Sequence, residues 1–444
     1  MPKKIISLFF AILIISLSLV VPFSASAYEP IGVEVYGKNC MLASLDTGEV
    51  LYSKSPDEKI YPASITKIMT TIIILESDKY NPNAKITLTE DVFNAMLGTG
   101  SSVSNLKIGE EITQKDMVYM VLMSSFGDIA LMAANYIAGN EADFVKMMNS
   151  KAKKLGLKNT HYENCVGLHD DNHYTTVNDI YTLTVYALKN STFKEICSSP
   201  RYTVPATNMH DQRVLNTTNF LIDNTTNYYY AYAKGVKTGF TDEAGRCVVS
   251  TASSEGYNYI CIMMGCKNSS EKRYEFISSS NLYRWAFKNF SYKEIADTEN
   301  PVCEIPVNLS LDTDHLSLYI KEKFVSVLPN DANTSTVIIK PHFKKDSVDA
   351  PIKKGDKIGT ADIIYAERVL KTVDLVAGND IKSSFLLVIA RGFKNIISSV
   401  VVKIILIIIG LAVLGFIARV VMLNYNSKNK RKVKYIPYNK HEKE

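Results

Sequence analysis

Ser64 and Lys67 stand three residues apart in Pro62-Ala-Ser-Ile-Thr-Lys67, at the head of the apolar run Ile65 to Leu75. A serine hydroxyl is a weak nucleophile until a neighbouring base takes its proton, and a lysine stripped of water can be that base. On a helix, residues i and i+3 share a face, so Lys67 lies beside Ser64, and burial against the isoleucines lowers its pKa. The helix start adds the positive end of the peptide dipoles, which favours negative charge on the serine oxygen and on a carbonyl it attacks. Alone, Ser-x-x-Lys is most often a capped helix with a snorkelling lysine. Two further patches change that reading. Ser125-Phe126-Gly127 follows the first, and Lys237-Thr238-Gly239 lies within Lys234-Gly-Val-Lys-Thr-Gly-Phe-Thr, before the strand-like Arg246-Cys-Val-Val-Ser-Thr-Ala. A strand edge ending in Thr-Gly offers backbone groups to an extended peptide, and the lysine offers a cation to a carboxylate. The ordered trio specifies acyl transfer through a serine nucleophile, with no histidine required.

In this order the three patches resemble those of the serine-type D-alanyl-D-alanine carboxypeptidases, the low-molecular-mass penicillin-binding proteins. Lys107-Ile-Gly-Glu-Glu-Ile-Thr, Leu155-Gly-Leu-Lys-Asn-Thr-His-Tyr, His173-Tyr-Thr-Thr and Leu215-Asn-Thr-Thr-Asn extend the resemblance from about Tyr28 to Phe290, and more weakly to about Gly378. It implies an α/β (α+β) architecture, the transpeptidase fold shared with β-lactamases: a mostly antiparallel five-stranded sheet and a helical lobe, with the nucleophile at their junction. It also implies a mechanism. Ser64 attacks the penultimate D-alanine carbonyl of a peptidoglycan stem peptide, Lys67 is the base, Ser125 relays a proton to the leaving D-alanine, and water hydrolyses the acyl-enzyme. The N–H groups of Ser64 and Phe240, the latter just after Gly239, hold the oxyanion, and Lys237 and Thr238 bind the terminal carboxylate. Arg273 is a further candidate for that carboxylate, although a lone arginine in Lys272-Arg-Tyr-Glu is more often a surface residue. β-lactam antibiotics are the expected covalent inhibitors, and the route needs no metal and no organic cofactor.

Gly127 departs from the family, whose second motif reads Ser-x-Asn with the asparagine bonding the substrate peptide. Losing one neutral hydrogen bond to the transition state costs about 1 to 3 kcal/mol, roughly one to two decades in rate. Besides the carboxypeptidase, two readings therefore stand: a catalytically impaired penicillin-binding or wall-binding protein, and a related D,D-endopeptidase or β-lactamase. The appended domain, the membrane anchor and the lack of a deacylating glutamate loop weigh against a β-lactamase.

The elements that must position these residues follow a coarse pattern. Helices run from Ser64 to about Leu188, bracketed by β-rich stretches at Gly32 to Ser53 and Gly235 to Gly265; the pattern alone gives only α plus β. We divide the chain into a signal peptide (1–27), a catalytic domain (28–295), a small β-rich domain (296–380), a transmembrane anchor (396–423) and a basic cytoplasmic tail (424–444). The signal rests on Lys3-Lys4, the apolar run Ile5 to Phe23 and Ala25-Ser-Ala27. The anchor rests on the uncharged run Ile404 to Ala418, with Lys403 and Arg419 snorkelling to the two interfaces. Lys428, Lys430, Arg431, Lys432 and Lys434 place the tail inside and the catalytic domain on the cell-wall side. In the β-rich domain, segments such as Thr334-Ser-Thr-Val-Ile-Ile alternate with turns such as Lys354-Gly-Asp, and Pro351-Ile-Lys-Lys-Gly-Asp-Lys-Ile-Gly-Thr resembles the family's C-terminal domain most clearly.

The net charge of +5 lies largely in the tail and suggests no nucleic-acid partner. The seven cysteines include no C-x-x-C pair and no zinc-like spacing with histidine, so they read as buried free thiols. His173 reads as structural. Oligomeric state is left open.

Overall fold

The computed structural model describes residues 28–430, with side chains described to residue 426; the signal segment 1–27 and the tail beyond residue 430 lie outside the described residues. The chain forms two compact units, one running through Ile295 and taking in Val325–Ser335, the other holding Ala296–Phe324 and the chain from Thr336 onward.

In the first unit, β1 (Asn39–Ser44), β2 (Val50–Lys54), β7 (Ala233–Thr241), β8 (Gly245–Ser254) and β9 (Tyr257–Cys266) form one sheet in the order β2-β1-β9-β8-β7. Every pairing is antiparallel, as the resemblance implied. Three two-stranded pairs lie outside it: β3 (Lys85–Thr87) with β4 (Glu111–Thr113), the hairpin of β5 (Arg201–Val204) and β6 (Arg213–Asn216), and β10 (Phe290–Ala296) with β13 (Phe324–Pro329). The central strands carry apolar residues on both of their faces because both faces are covered. Met41, Ala43, Val249, Ile260 and Ile262 point into a core shared with the helical lobe. Their neighbours Cys40, Leu42, Val248, Tyr259 and Cys261 point the other way, against Phe276, Leu282 and Tyr283 of the helix Tyr274–Asn289. Alternation of period two thus fills two cores at once. Each fully buried Leu or Ile contributes about 1.5 to 3 kcal/mol relative to exposure.

The nucleophile segment is the hub of the helical lobe. Its first turn, Ala63–Thr66, is a 3-10 turn, and the α-helix proper begins at Lys67 and runs to Leu75. Eight of those nine helical residues, all but Leu75, are buried, which is why the run is apolar all round. Most of the surrounding helices start where their sequences supply caps, Gly127–Ala138 being an exception. Thr113 and Asp116 form a reciprocal capping box at Gln114–Leu122, Asn140 caps Glu141–Leu155 and Thr176 caps Val177–Ala187. All seven cysteines are unpaired, and all but Cys303 are buried.

The second unit holds a six-stranded sheet in the order β14-β16-β17-β12-β11-β15, comprising β11 (Cys303–Asn308), β12 (His315–Ile320), β14 (Ile338–His342), β15 (Val348–Asp349), β16 (Lys357–Tyr365) and β17 (Arg368–Ala377). It is antiparallel except where the two-residue β15 runs parallel to β11. Ile305, Leu316, Leu318, Ile320, Ala361 and Leu375 form its core. Two helices follow, Phe385–Ser398 and Val400–Lys430, broken at Ser399, whose ψ of 134° leaves the helical region. Val400–Asn426 is long and apolar enough to cross a membrane, by length and composition.

Candidate active site

Ser64 and Lys67 meet as the i, i+3 spacing predicts. Lys67 Nζ lies 3.0 Å from Ser64 Oγ and donates to Val166 O at 2.7 Å. The lysine is fully buried, and that burial pushes its pKa down to about 8, opposed weakly by Cys165 and Asp128. Val166 O is aimed by a tight turn in which Asn164 Oδ1 accepts the N–H groups of Val166, Gly167 and Leu168. Only glycine fits in this turn: Gly167 has φ +89°, and a Cβ there would lie 2.0 Å from Ala63 O. Behind the nucleophile turn, His173 Nε2 lies 2.8 Å from Thr66 Oγ1 and Nδ1 accepts the Glu163 N–H. Burial lowers its pKa to about 4, so it is a neutral brace for Thr66.

Ser125 is carried by the link between the helices Gln114–Leu122 and Gly127–Ala138, in a left-handed conformation with φ +66°. Ala63, just before the nucleophile, also has positive φ, at +47°. Such conformations in non-glycine residues cluster where side-chain placement is over-determined by the surroundings. Gly127 opens the second of these helices and donates its N–H to Ser102 O at 2.7 Å.

β7 is the edge strand of the sheet, and its Gly239 passes close to the nucleophile turn. A Cβ at Gly239 would lie 3.1 Å from both Pro62 O and Ser64 N, so the glycine lets sheet and helix start close on each other. Lys237 is buried, with Nζ donating to Thr238 O at 2.9 Å. Burial, and secondarily the neighbouring Lys67, holds it well below the usual lysine range. Thr238 Oγ1 donates to Thr218 Oγ1 at 2.6 Å. Phe240 is 38% exposed at the mouth.

Arg273 is not a free surface residue. Its guanidinium is centred 4.8 Å from the rings of both Phe220 and Phe276, and Nε donates to the buried Glu275 at 2.6 Å. Ser64, Ser125, Thr238, Gly239, Phe240 and Arg273 all line one cavity of about 660 Å3, with Lys67, Gly127 and Lys237 buried in its wall.

Several lining residues escaped the sequence reading. Arg246 lies across the β7–β8 ladder from Phe240, its guanidinium 4.9 Å from the Phe240 ring and its Nε bonded to Asn268. Reading the Thr241-to-Gly245 connection as a hairpin would have paired those two positions. Thr218 and Ser101 reach the cavity from loops, where no periodicity announces them.

The chain is similar to known proteins along most of its length. Residues 24–268 match the family described as D-alanyl-D-alanine carboxypeptidase, and residues 290–383 match the C-terminal domain of penicillin-binding protein 5. The D-alanyl-D-alanine carboxypeptidase DacF of Bacillus subtilis is 30% identical over 351 residues, covering 78% of this chain and 86% of that protein. A D-alanyl-D-alanine endopeptidase of Pseudomonas aeruginosa is 33% identical over 283 residues, covering 62% of this chain and 86% of that protein. Penicillin-binding protein 5 from Haemophilus influenzae shares the fold, with a TM-score of 0.63 at 24% identity over 79% of this chain and 98% of that one.

Proposed function

The chain belongs to the D-alanyl-D-alanine carboxypeptidase family, and from that premise we propose how its cleft works. The protein is a serine D-Ala-D-Ala carboxypeptidase of peptidoglycan. A stem peptide lies extended along the β7 edge, and Ser64 Oγ attacks the carbonyl of its penultimate D-alanine while neutral Lys67 takes the proton. The N–H groups of Ser64 and Phe240 receive the oxyanion. Ser125 passes the proton to the departing D-alanine, and water then releases the trimmed peptide from Ser64. Thr238, Lys237 and Arg273 receive the terminal carboxylate, and Gly239 keeps the strand close to the nucleophile.

The observation that carries this reading is the 3.0 Å approach of a fully buried lysine amine to Ser64 Oγ. With a pKa of about 8, Lys67 offers roughly two orders of magnitude more neutral amine at neutral pH than an exposed lysine. Lys237 fits the same scheme. Its charge is disfavoured by burial and by Lys67. An arriving carboxylate supplies the counter-charge that lets Lys237 hold a proton while Lys67 stays neutral.

For its location, we propose export through the segment 1–27 and anchoring by Val400–Asn426, with the basic tail inside and the cleft facing the wall. Amino-terminal sequencing of the membrane-bound protein should return Tyr28 as the first residue; an intact Met1 would refute cleavage there.

The deciding experiment is intact-mass spectrometry of the detergent-solubilised chain with benzylpenicillin and, separately, with a pentapeptide ending in D-alanyl-D-alanine. We expect a penicilloyl adduct on Ser64 and loss of one D-alanine from the peptide. An adduct without turnover of that peptide would favour the endopeptidase reading, which the Pseudomonas relative keeps in view. No adduct would favour a non-catalytic binder.

A further inference from the structure

One wall of the cleft belongs to none of the three motifs. Between the helix ending at Met96 and the strand β4, residues 97–106 run without regular structure, turned by Gly98 and Gly100 at φ +73° and +75°. The loop is tied down at three points. Thr99 Oγ1 donates to Met96 O at 3.0 Å, Ser102 O accepts the Gly127 N–H, and the backbone N–H and hydroxyl of Ser104 both donate to the buried carboxylate of Asp128. Held in this way, Ser101 lines the cavity together with Ser64 and Ser125.

Ser101 takes the space that a side chain at position 127 would need. A Cβ on Gly127 would lie 2.2 Å from Ser101 Oγ, 2.8 Å from Met96 Cε and 2.9 Å from Val166 Cγ1. Gly127 is therefore the residue that lets the loop close on the helix start, and the hydroxyl, not a side chain from the helix, is what the cleft presents there. Its one internal acceptor, Ser102 O, is 3.4 Å away, at the long limit of a hydrogen bond, so the hydroxyl is easily turned to a better partner. An extended peptide on the β7 edge directs alternate amide groups away from the strand, toward the wall that Ser101 and Ser125 form.

We propose that the Ser101 hydroxyl is a substrate-positioning group that donates a hydrogen bond to the carbonyl of the acyl-side amide, the one preceding the scissile bond. This rests on the acyl-enzyme reading above.

The test uses two penicillins that differ in that amide: benzylpenicillin carries it as its side chain, and 6-aminopenicillanic acid lacks it. In the full chain, Ser101→Ala should lower the second-order rate of Ser64 acylation by benzylpenicillin about tenfold. It should lower kcat/KM for diacetyl-L-lysyl-D-alanyl-D-alanine by a similar factor. The rate with 6-aminopenicillanic acid and the Tm should stay unchanged, and Ser101→Thr, which keeps the hydroxyl, should stay within about threefold of the native chain. Equal losses with both penicillins would mean a merely structural role, and no loss with either would mean no contact; both overturn the proposal. If the native chain is acylated by neither compound, the acyl-enzyme reading itself fails and this proposal falls with it.

Discussion

The two units handle charge in opposite ways. In the catalytic unit Lys67, Lys237, Glu110 and Glu275 are all buried, whereas among the described residues of the C-terminal unit no charged side chain is. There the ion pairs Lys357–Asp374 and Arg391–Asp349 and the hydrogen-bonded pair His342–Asp362 stay in reach of solvent. Its strands alternate as one-faced sheets do, with Leu316, Leu318 and Ile320 inward and His315, Ser317 and Tyr319 more open. Burying an ionisable group costs several kcal/mol unless it is paired or neutralised. The catalytic unit bears that cost at two lysines, and both lie in the wall of the Ser64 cleft.

The contrast can be broken most sharply at the nucleophile. Ser64→Ala should abolish penicillin acylation, read by intact mass, and retained labelling would refute the assignment. Lys67→Met should come next, with acylation falling by about two to four decades. In the native chain kcat/KM should rise with pH through about 8, as Lys67 loses its proton. The same group links to stability. Between about 8 and the ordinary 10.5 the unfolded lysine binds a proton that the folded one does not, so Lys67 makes stability rise with pH across that window. Melts of Lys67→Met against the native chain should lose that component, and identical pH slopes would contradict a depressed lysine.

Gly127→Asn should lower both Tm and turnover, because its Cβ meets Ser101, Met96 and Val166; overpacking of this kind costs about 1 to 3 kcal/mol. A gain in activity would mean that the loop yields easily. Arg246→Ala should raise KM a few fold with kcat nearly kept, since its guanidinium lies at the mouth beside Phe240; a drop in kcat alone would place it nearer the reacting atoms. The smallest effect belongs to the other unit. Lys357→Ala should leave activity unchanged and move Tm by less than about 2 °C, because exposed pairs contribute little.

How much was legible in the sequence follows from what is local. Ser64 and Lys67 share one turn, and Lys237-Thr238-Gly239 share one strand, so each patch is legible as a local spacing, and their order along the chain with Ser125 is what gave that spacing a meaning. The five-stranded antiparallel sheet came only by resemblance, and its strand order, with β1 paired to β9 across the whole lobe, leaves no periodic mark in the sequence. Val166 O, Asn164, Ser101 and Arg246 were silent because they act through loops and a cross-strand neighbour. Gly127 reads differently at the two levels. As a letter it marks a missing side chain, but in the folded chain the vacated space is filled by Ser101. The break at Ser399 is marked in the sequence only by the short polar step Ser398-Ser399 between Ile397 and Val400.

The buried cysteines bear on how the protein can be handled. Burial pushes the thiols of Cys40, Cys197 and Cys247 up to about 12, and those of Cys165, Cys261 and Cys266 are raised in the same way. Alkylating dyes and oxidants attack thiolates, so these six are nearly invisible to them, and Cys303, half-buried with its pKa also raised, is the only native background. After Cys303→Ser, a single cysteine introduced for Phe240 at the cleft mouth would carry a fluorophore on an otherwise silent chain, and occupancy by an antibiotic could be followed as a change in emission.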